Sequence, residues 1–273
     1  MKRMRTGPMT SRDEMTAKLF FNAAFPVMQV VLDDDPAMNA KFRNVCSTVQ
    51  ICAKTGLTTA GDELLACHLV FNFGKITINQ GPAEAPDITL SFNSVAKMNT
   101  MFRGGAALPS IKGFLKLGLL IKVFSLLMSL MIMMPGSRPK DPAKQKLKVK
   151  MSLYMITRAL STYNKLGNPE MAEWCRRQPD RIYQFIVGEK AAPDIACYLR
   201  VKAGKSKSGH GIYTRRSPFV QFHFPSVEGA LKVLLKDVAF VEGVEKGCVE
   251  VLGSPEYAMA INDFMAVLQG MLT

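Results

Sequence analysis

The sequence predicts an α+β protein of two tandem units, each a mostly antiparallel sheet covered by helices. Three observations predict it. Blocks of residues recur in the same order, as a duplicated unit requires. Apolar side chains alternate with period two on either side of glycine-marked turns, the mark of half-buried hairpin strands. Other segments then switch to helical spacing and stop at glycine. The recurring blocks are ACHLVFNFGK from Ala66 and ACYLRVKAGK from Ala196, PDITLSFNSV from Pro86 and PFVQFHFPSV from Pro218, and KGFLKL from Lys112 and KGCVEV from Lys246. VQICA from Val49 faces YQFIV from Tyr183, and DPAM from Asp35 faces NPEM from Asn168. The offsets are 130, 132, 134, 134 and 133, with the drift assigned to loop insertions.

In chain order, residues 1–14 are expected to form a flexible tail and 15–134 the first unit. A helix over about 11–32 precedes the run Asp33–Asp34–Asp35–Pro36, where an aspartate N-cap and a first-turn proline start a short second helix; Asn168 and Pro169 do the same later. That role accounts for the acidic run without a metal, which needs more oxygen ligands than the run supplies. Leu69, Phe71 and Phe73 alternate with His68, Val70 and Asn72, and Ile76 and Ile78 with Lys75, Thr77 and Asn79, with Gly74 at the turn; Ile88, Leu90 and Phe92 form the next strand. Val95, Met98, Met101 and Phe102 follow at helical spacing up to Gly104. A last strand is expected to carry Leu115 and Leu117 on one face, matched by Val249 and Val251 in the second unit.

A helix closes each unit. In the second, Tyr257, Ile261, Phe264, Met265, Leu268 and Leu272 share one face, with Asn262, Asp263 and Gln269 on the other. The first-unit counterpart, Leu119–Met134, is the most apolar stretch of the chain; extended back to Phe114 it has 21 residues, enough at ~1.5 Å each to span a hydrocarbon core. Lys122 well inside it argues against a span. The expectation is a helix over the unit's apolar interior, mobile or covered by a partner, with the span as the alternative. Between the units, 135–149 reads as an exposed basic linker containing prolines, and 150–273 as the second, more divergent unit.

A net charge of +13 favours anionic partners. The N-terminus has basic residues but no apolar core of a secretory signal, so a cytoplasmic protein is expected, with peripheral membrane contact open to it. Six cysteines without CxxC or zinc-finger spacing read as small core residues.

The turn Gly74–Lys75, the strand DITLSF followed by a helix, and the glycine-led strands Gly113–Gly118 and Gly247–Ser254 running into apolar helices resemble the sterol carrier protein type 2 family, twice over. The resemblance implies a five-stranded sheet covered by helices in each unit. It also implies non-catalytic binding of a sterol, fatty acyl chain or other lipid in a tunnel between sheet and helices, for transfer or for presentation to a partner enzyme at a membrane. The expected lining is Phe71, Phe73, Leu90, Phe92, Met98, Phe102, Leu115, Leu117, Phe124, Leu127 and Met128, so the ligand belongs mainly to the first unit. The second hairpin, VKAGKSKSGHGIYTRRSP, has lost alternation and gained charge, as though its unit had exchanged a pocket for a surface.

The residues supply no better chemistry. Cys67 and His68 are adjacent on a strand and face opposite ways; His223 alternates with Phe222 and Phe224; His210 sits in a glycine-rich turn; and no P-loop, HExxH or GxSxG occurs. No catalytic residue, cofactor or metal is therefore expected. A single tyrosine, Tyr213, among the cations of the second hairpin is a weak nucleic-acid signal, and none is expected as a partner. The alternative to lipid binding is an interaction module whose Met-rich helix docks on a partner or dimerises.

Overall fold

The computed structural model describes residues 12–56, 64–113 and 115–273, so most of the expected tail and Phe114 lie outside it. It contains two five-stranded sheets with identical wiring. Strands β1 (Cys46–Lys54), β2 (Leu64–Asn72), β3 (Lys75–Gln80), β4 (Ile88–Phe92) and β5 (Ser110–Lys112) lie in the order β3-β2-β1-β4-β5. Strands β6 (Arg181–Val187), β7 (Ile195–Lys202), β8 (Lys205–His210), β9 (Val220–Phe224) and β10 (Glu250–Gly253) lie in the order β8-β7-β6-β9-β10. In each sheet only the central pair, β1 with β4 or β6 with β9, is parallel. The sheets are thus mixed, though mostly antiparallel as the sequence predicts.

The ladders repeat residue by residue. Ile51 pairs with Cys67 and Leu90, and Phe185 pairs with Cys197 and Phe222, which reproduces the sequence offsets of 134, 130 and 132. Polar anchors repeat as well. The side-chain oxygen of Gln50 accepts the Ala83 N–H at 2.8 Å, and that of Gln184 accepts the Tyr213 N–H at 2.9 Å, each tying down the loop before the parallel strand. Asp35 and Asn168 cap α3 (Pro36–Phe42) and α7 (Pro169–Arg176). Asp34 and Asp33 bind Lys150 and Lys75, so the acidic run is accounted for by a cap and two ion pairs.

The last strands break the expected register. Ile111 lies opposite Leu90 and Val251 opposite Phe222, an offset of 140 rather than 134. Gly113 and Gly253 therefore correspond. Both have positive φ, and a Cβ on either would meet a carbonyl oxygen, of Asp87 at 2.2 Å or Phe219 at 2.1 Å. Backbone contact selects these glycines, so the apparent match of KGFLKL to KGCVEV was a local coincidence. The difference arises upstream. Seven residues, 103–109, join α4 (Val95–Phe102) to β5, whereas fifteen, 235–249, join α8 (Val227–Leu234) to β10 and carry the extra helix α9 (Phe240–Glu245).

Helices cover one face of each sheet. The first unit opens with α1 (Arg12–Leu19), a π turn over Phe20–Ala24, a 3-10 turn over Phe25–Val27 and α2 (Met28–Asp34). Pro26 explains the irregularity: it has no N–H to donate, and the ladder slips to an i−5 bond from Phe25 to Phe20. Arg12–Asp34 is long and apolar enough to cross a membrane, but 72% of its apolar window is buried, as in a core helix. The second unit opens with one long helix, α6 (Pro142–Lys165), against which the first unit's π turn packs, so the two units share a continuous core. The helix begins inside the expected linker, and Lys148 and Val149 are buried; only 135–141 connects as a loop. The closing helices α5 (Leu117–Ser129) and α10 (Pro255–Leu272) lie against the opening helices of their own units.

Candidate functional site

The hollow part of the molecule is in the second unit. A cavity of about 360 Å³ lies between the covered face of its sheet and three helical walls. Period-two alternation puts Phe185, Phe222 and Phe224 on the floor, where Phe185 and Phe222 stack at 4.6 Å. Helix α6 contributes Ser152, Met155, Ile156 and Ala159, which recur at helical spacing on one face. The opposite walls are Val233 to Phe240, from the end of α8 through the inserted loop, and Met265, Leu268 and Leu272 of α10. Asn262 and Gln269 also reach the cavity, a correction to their expected place on the outer face of α10. A mostly apolar pocket with a few polar groups at its edge is the usual form of a small-molecule site, and about 360 Å³ falls within the usual range.

One end is cationic. Lys148 lines the cavity, is only 2% exposed, and donates to the carbonyls of Met134 at 2.9 Å and Ser137 at 2.7 Å. Burial, reinforced by nearby Arg138, lowers its pKa to about 8. The same loop is fastened across the cavity end: Arg138 forms a two-pronged ion pair with Asp237 of the inserted segment, one contact being 2.8 Å.

The first unit has no comparable space among its described residues. Phe102 is ringed by Phe20, Phe25 and Phe92 at centroid distances of 5.2, 5.0 and 6.3 Å, filling the region between sheet and helices. The residues expected to line a site there are placed as follows. Phe71, Leu90, Phe92, Met98, Phe102 and Leu127 are buried in packed core, and Phe124 is half-buried. Phe73, Leu115, Leu117 and Met128 are exposed. Phe73 leaves the sheet because it and Gly74 both take positive φ in the two-residue turn. Leu115 and Leu117 follow β5 instead of belonging to it. None of the eleven borders the large cavity; Phe102 alone reaches a neighbouring gap of about 20 Å³, which shares Met133, Met155, Leu272 and Thr273 with it.

Sequence reasoning missed the second-unit cavity because it judged that unit by its charged hairpin. That hairpin forms β7 and β8, whereas the cavity floor comes from β6 and β9. The readable signals were the eight extra residues before β10 and the substitution of Leu234 at the position of Phe102, with Ser94 and Ser226 capping the two helices alike.

The other reactive groups are held quietly. His223 faces away from the cavity, bonded to the Gly188 carbonyl at 2.7 Å and to Glu250 at 3.1 Å. His210 stacks on Tyr154 at 3.9 Å, and burial lowers its pKa. Burial pushes the Cys175 and Cys197 thiols up to about 12; Cys46 is exposed, against its expected core role, and Cys248 half-buried.

No protein-family model and no curated protein matches the sequence. Among solved structures, the chain is similar to apo sterol carrier protein 2 from Yarrowia lipolytica, at 18% identity and TM-score 0.29, over 39% of this chain and 91% of that one. It is also similar to the sterol carrier protein domain 2 of Helicoverpa armigera, at 19% identity and TM-score 0.31, over 44% and 89%. The alkylsulfatase Pisa1 from a Pseudomonas species matches at 11% identity and TM-score 0.24, over 60% of this chain and 31% of that one.

Proposed function

We propose that the protein is a non-catalytic, cytoplasmic carrier of a hydrophobic ligand, a lipid of sterol or acyl type, held in the second unit. On this reading the two units descend from a duplicated sterol-carrier-like domain. One has kept an open interior, and the other has closed around aromatic side chains. The observation that carries the reading is the 360 Å³ apolar cavity between sheet and helices. Matching ladder registers support the duplication. Thiols held far above neutral pH and histidines tied to structural partners fit binding without catalysis. Burial of an acyl chain contributes at most ~0.8 kcal/mol per methylene, so about ten carbons supply roughly 8 kcal/mol, the scale of micromolar affinity, before ordering costs.

Native mass spectrometry of protein purified without detergent, followed by organic extraction, tests this directly. The expected result is a stoichiometric lipid that is lost in Ile156→Trp, which fills the cavity from α6, and retained in Phe102→Leu. Equal lipid content in wild type and a folded Ile156→Trp protein, or a protein empty after exposure to sterol and acyl ligands, refutes the assignment.

A further inference from the structure

A second feature of the molecule lies on the opposite unit and has no role in the cavity. Helix α5 is apolar nearly all round, a pattern that belongs inside a core or a membrane, yet one side of it faces solvent. Val123, Leu126 and Leu127 are buried against the protein; Leu117 and Ile121, one turn apart, are 60% and 69% exposed, and Leu115 just before them is 86% exposed. Met128 extends the same open side. Three adjacent large aliphatic side chains left in water at one end of a helix require an occupant.

Charge identifies it. From Ile88 to Lys140 the chain has no aspartate or glutamate in 53 residues, while it carries seven cations: Lys97, Arg103, Lys112, Lys116, Lys122, Arg138 and Lys140. Lys112 is exposed beside the patch, Lys122 is partly exposed on α5 itself, and Lys116 is bound to Asp87 at its edge. Aliphatic side chains flanked by Lys112 and Lys122, with Asp87 at the edge already paired to Lys116, match the acyl boundary and anionic headgroups of a phospholipid surface.

We propose that Leu115, Leu117 and Ile121, with Lys112 and Lys122 beside them, form the surface by which the protein docks on anionic bilayers, the helix lying along the interface without crossing it. The docking surface lies on the first unit, whereas the cavity is lined mainly by the second, with Met133 of the first at its border. The two readings fail separately, since vesicle binding needs no ligand in the cavity and ligand retention needs no vesicle.

The test is co-sedimentation of the full chain with vesicles of phosphatidylcholine alone and with about 30% phosphatidylserine, at low and high salt. Binding is expected to be at least about tenfold stronger with the anionic lipid and to fall as salt rises. The double variant Leu117→Asp/Ile121→Asp changes only exposed positions and is expected to lose about tenfold or more, while retaining any co-purified lipid. Lys112→Glu/Lys122→Glu is expected to remove the preference for phosphatidylserine. Unchanged vesicle binding in either variant overturns the proposal. So does concentration-dependent self-association that the aspartate variant abolishes, because the patch would then be covered by a second copy of the chain.

Discussion

The two units carry the same ladders, caps and loop anchors, yet one is solid and the other hollow. In the first, Phe102 closes α4 against four phenylalanines, Phe20, Phe21, Phe25 and Phe92. In the second, Leu234 stands at that helix end, and eight additional residues before β10 form a wall set away from the sheet. The sheet is therefore a scaffold indifferent to whether a cavity lies on it. What decides is the size of a few side chains at one helix terminus and the length of the connection that follows. Native interiors are close-packed, so a void of this size between well-formed elements is a feature that packing would otherwise remove.

The most severe way to break the comparison is to hollow the solid unit. Phe102→Ala removes the hub of a buried ring cluster and is expected to cost about 3–5 kcal/mol. Leu234→Ala at the corresponding position only enlarges an existing cavity and is expected to cost no more than about 2 kcal/mol. Urea unfolding of both variants compares them; equal costs would mean that the first unit is not the better packed of the two.

The next largest effect should be the same in both halves. Gly113→Ala and Gly253→Ala each place a Cβ into a carbonyl oxygen at positive φ, and roughly 1–3 kcal/mol is expected from either. A large effect in one and none in the other would dissolve the correspondence that the strand registers define.

These glycines also show what the sequence made legible. Wherever side-chain alternation and caps carry the signal, as at Ile51, Cys67, Leu90, Asp35 and Asn168, the repeats could be aligned without a structure, and the α+β architecture with two sheets followed from them. Gly113 was matched to Gly247 because both follow a lysine, whereas its true counterpart is determined by close approach to the backbone two strands' worth of chain away. The candidate site was less legible than the fold. Phe71, Leu90 and Phe92 are as apolar as Phe185, Phe222 and Phe224, and hydrophobicity does not distinguish a wall from a filling. That distinction depends on the space left after Phe20, Phe25 and Phe102 have packed, a three-dimensional quantity with no periodic signature.

Lys148 sharpens the comparison at intermediate size. Its pKa in the folded protein is about 8, against about 10.5 unfolded, so the unfolded chain binds its proton more tightly between those values. The contribution is unfavourable below pH 8, by about 3 kcal/mol as an upper figure, and is relieved as pH rises toward 10.5. Lys148→Met should therefore flatten the rise in stability over that window. The two carbonyls holding the ammonium oppose the burial effect, so a variant less stable than wild type at pH 7 would show that they outweigh it.

The smallest effect on stability belongs to the pair Arg138–Asp237, and it is the one most closely tied to the hollow unit. Both partners are exposed enough for water to screen them, so their attraction contributes little to the folded state. Their position matters more than their energy. Arg138 comes from the connection between the units and Asp237 from the segment that the second unit alone possesses, so the pair joins two walls at the cationic end of the cavity. Asp237→Ala should leave urea unfolding nearly unchanged while speeding dissociation of a fluorescent acyl probe, more so at low salt, where the wild-type pair is strongest. The equivalent region of the first unit has neither the insertion nor a cavity to close. Unchanged probe dissociation in a folded variant would mean that the pair does not hold the cavity closed.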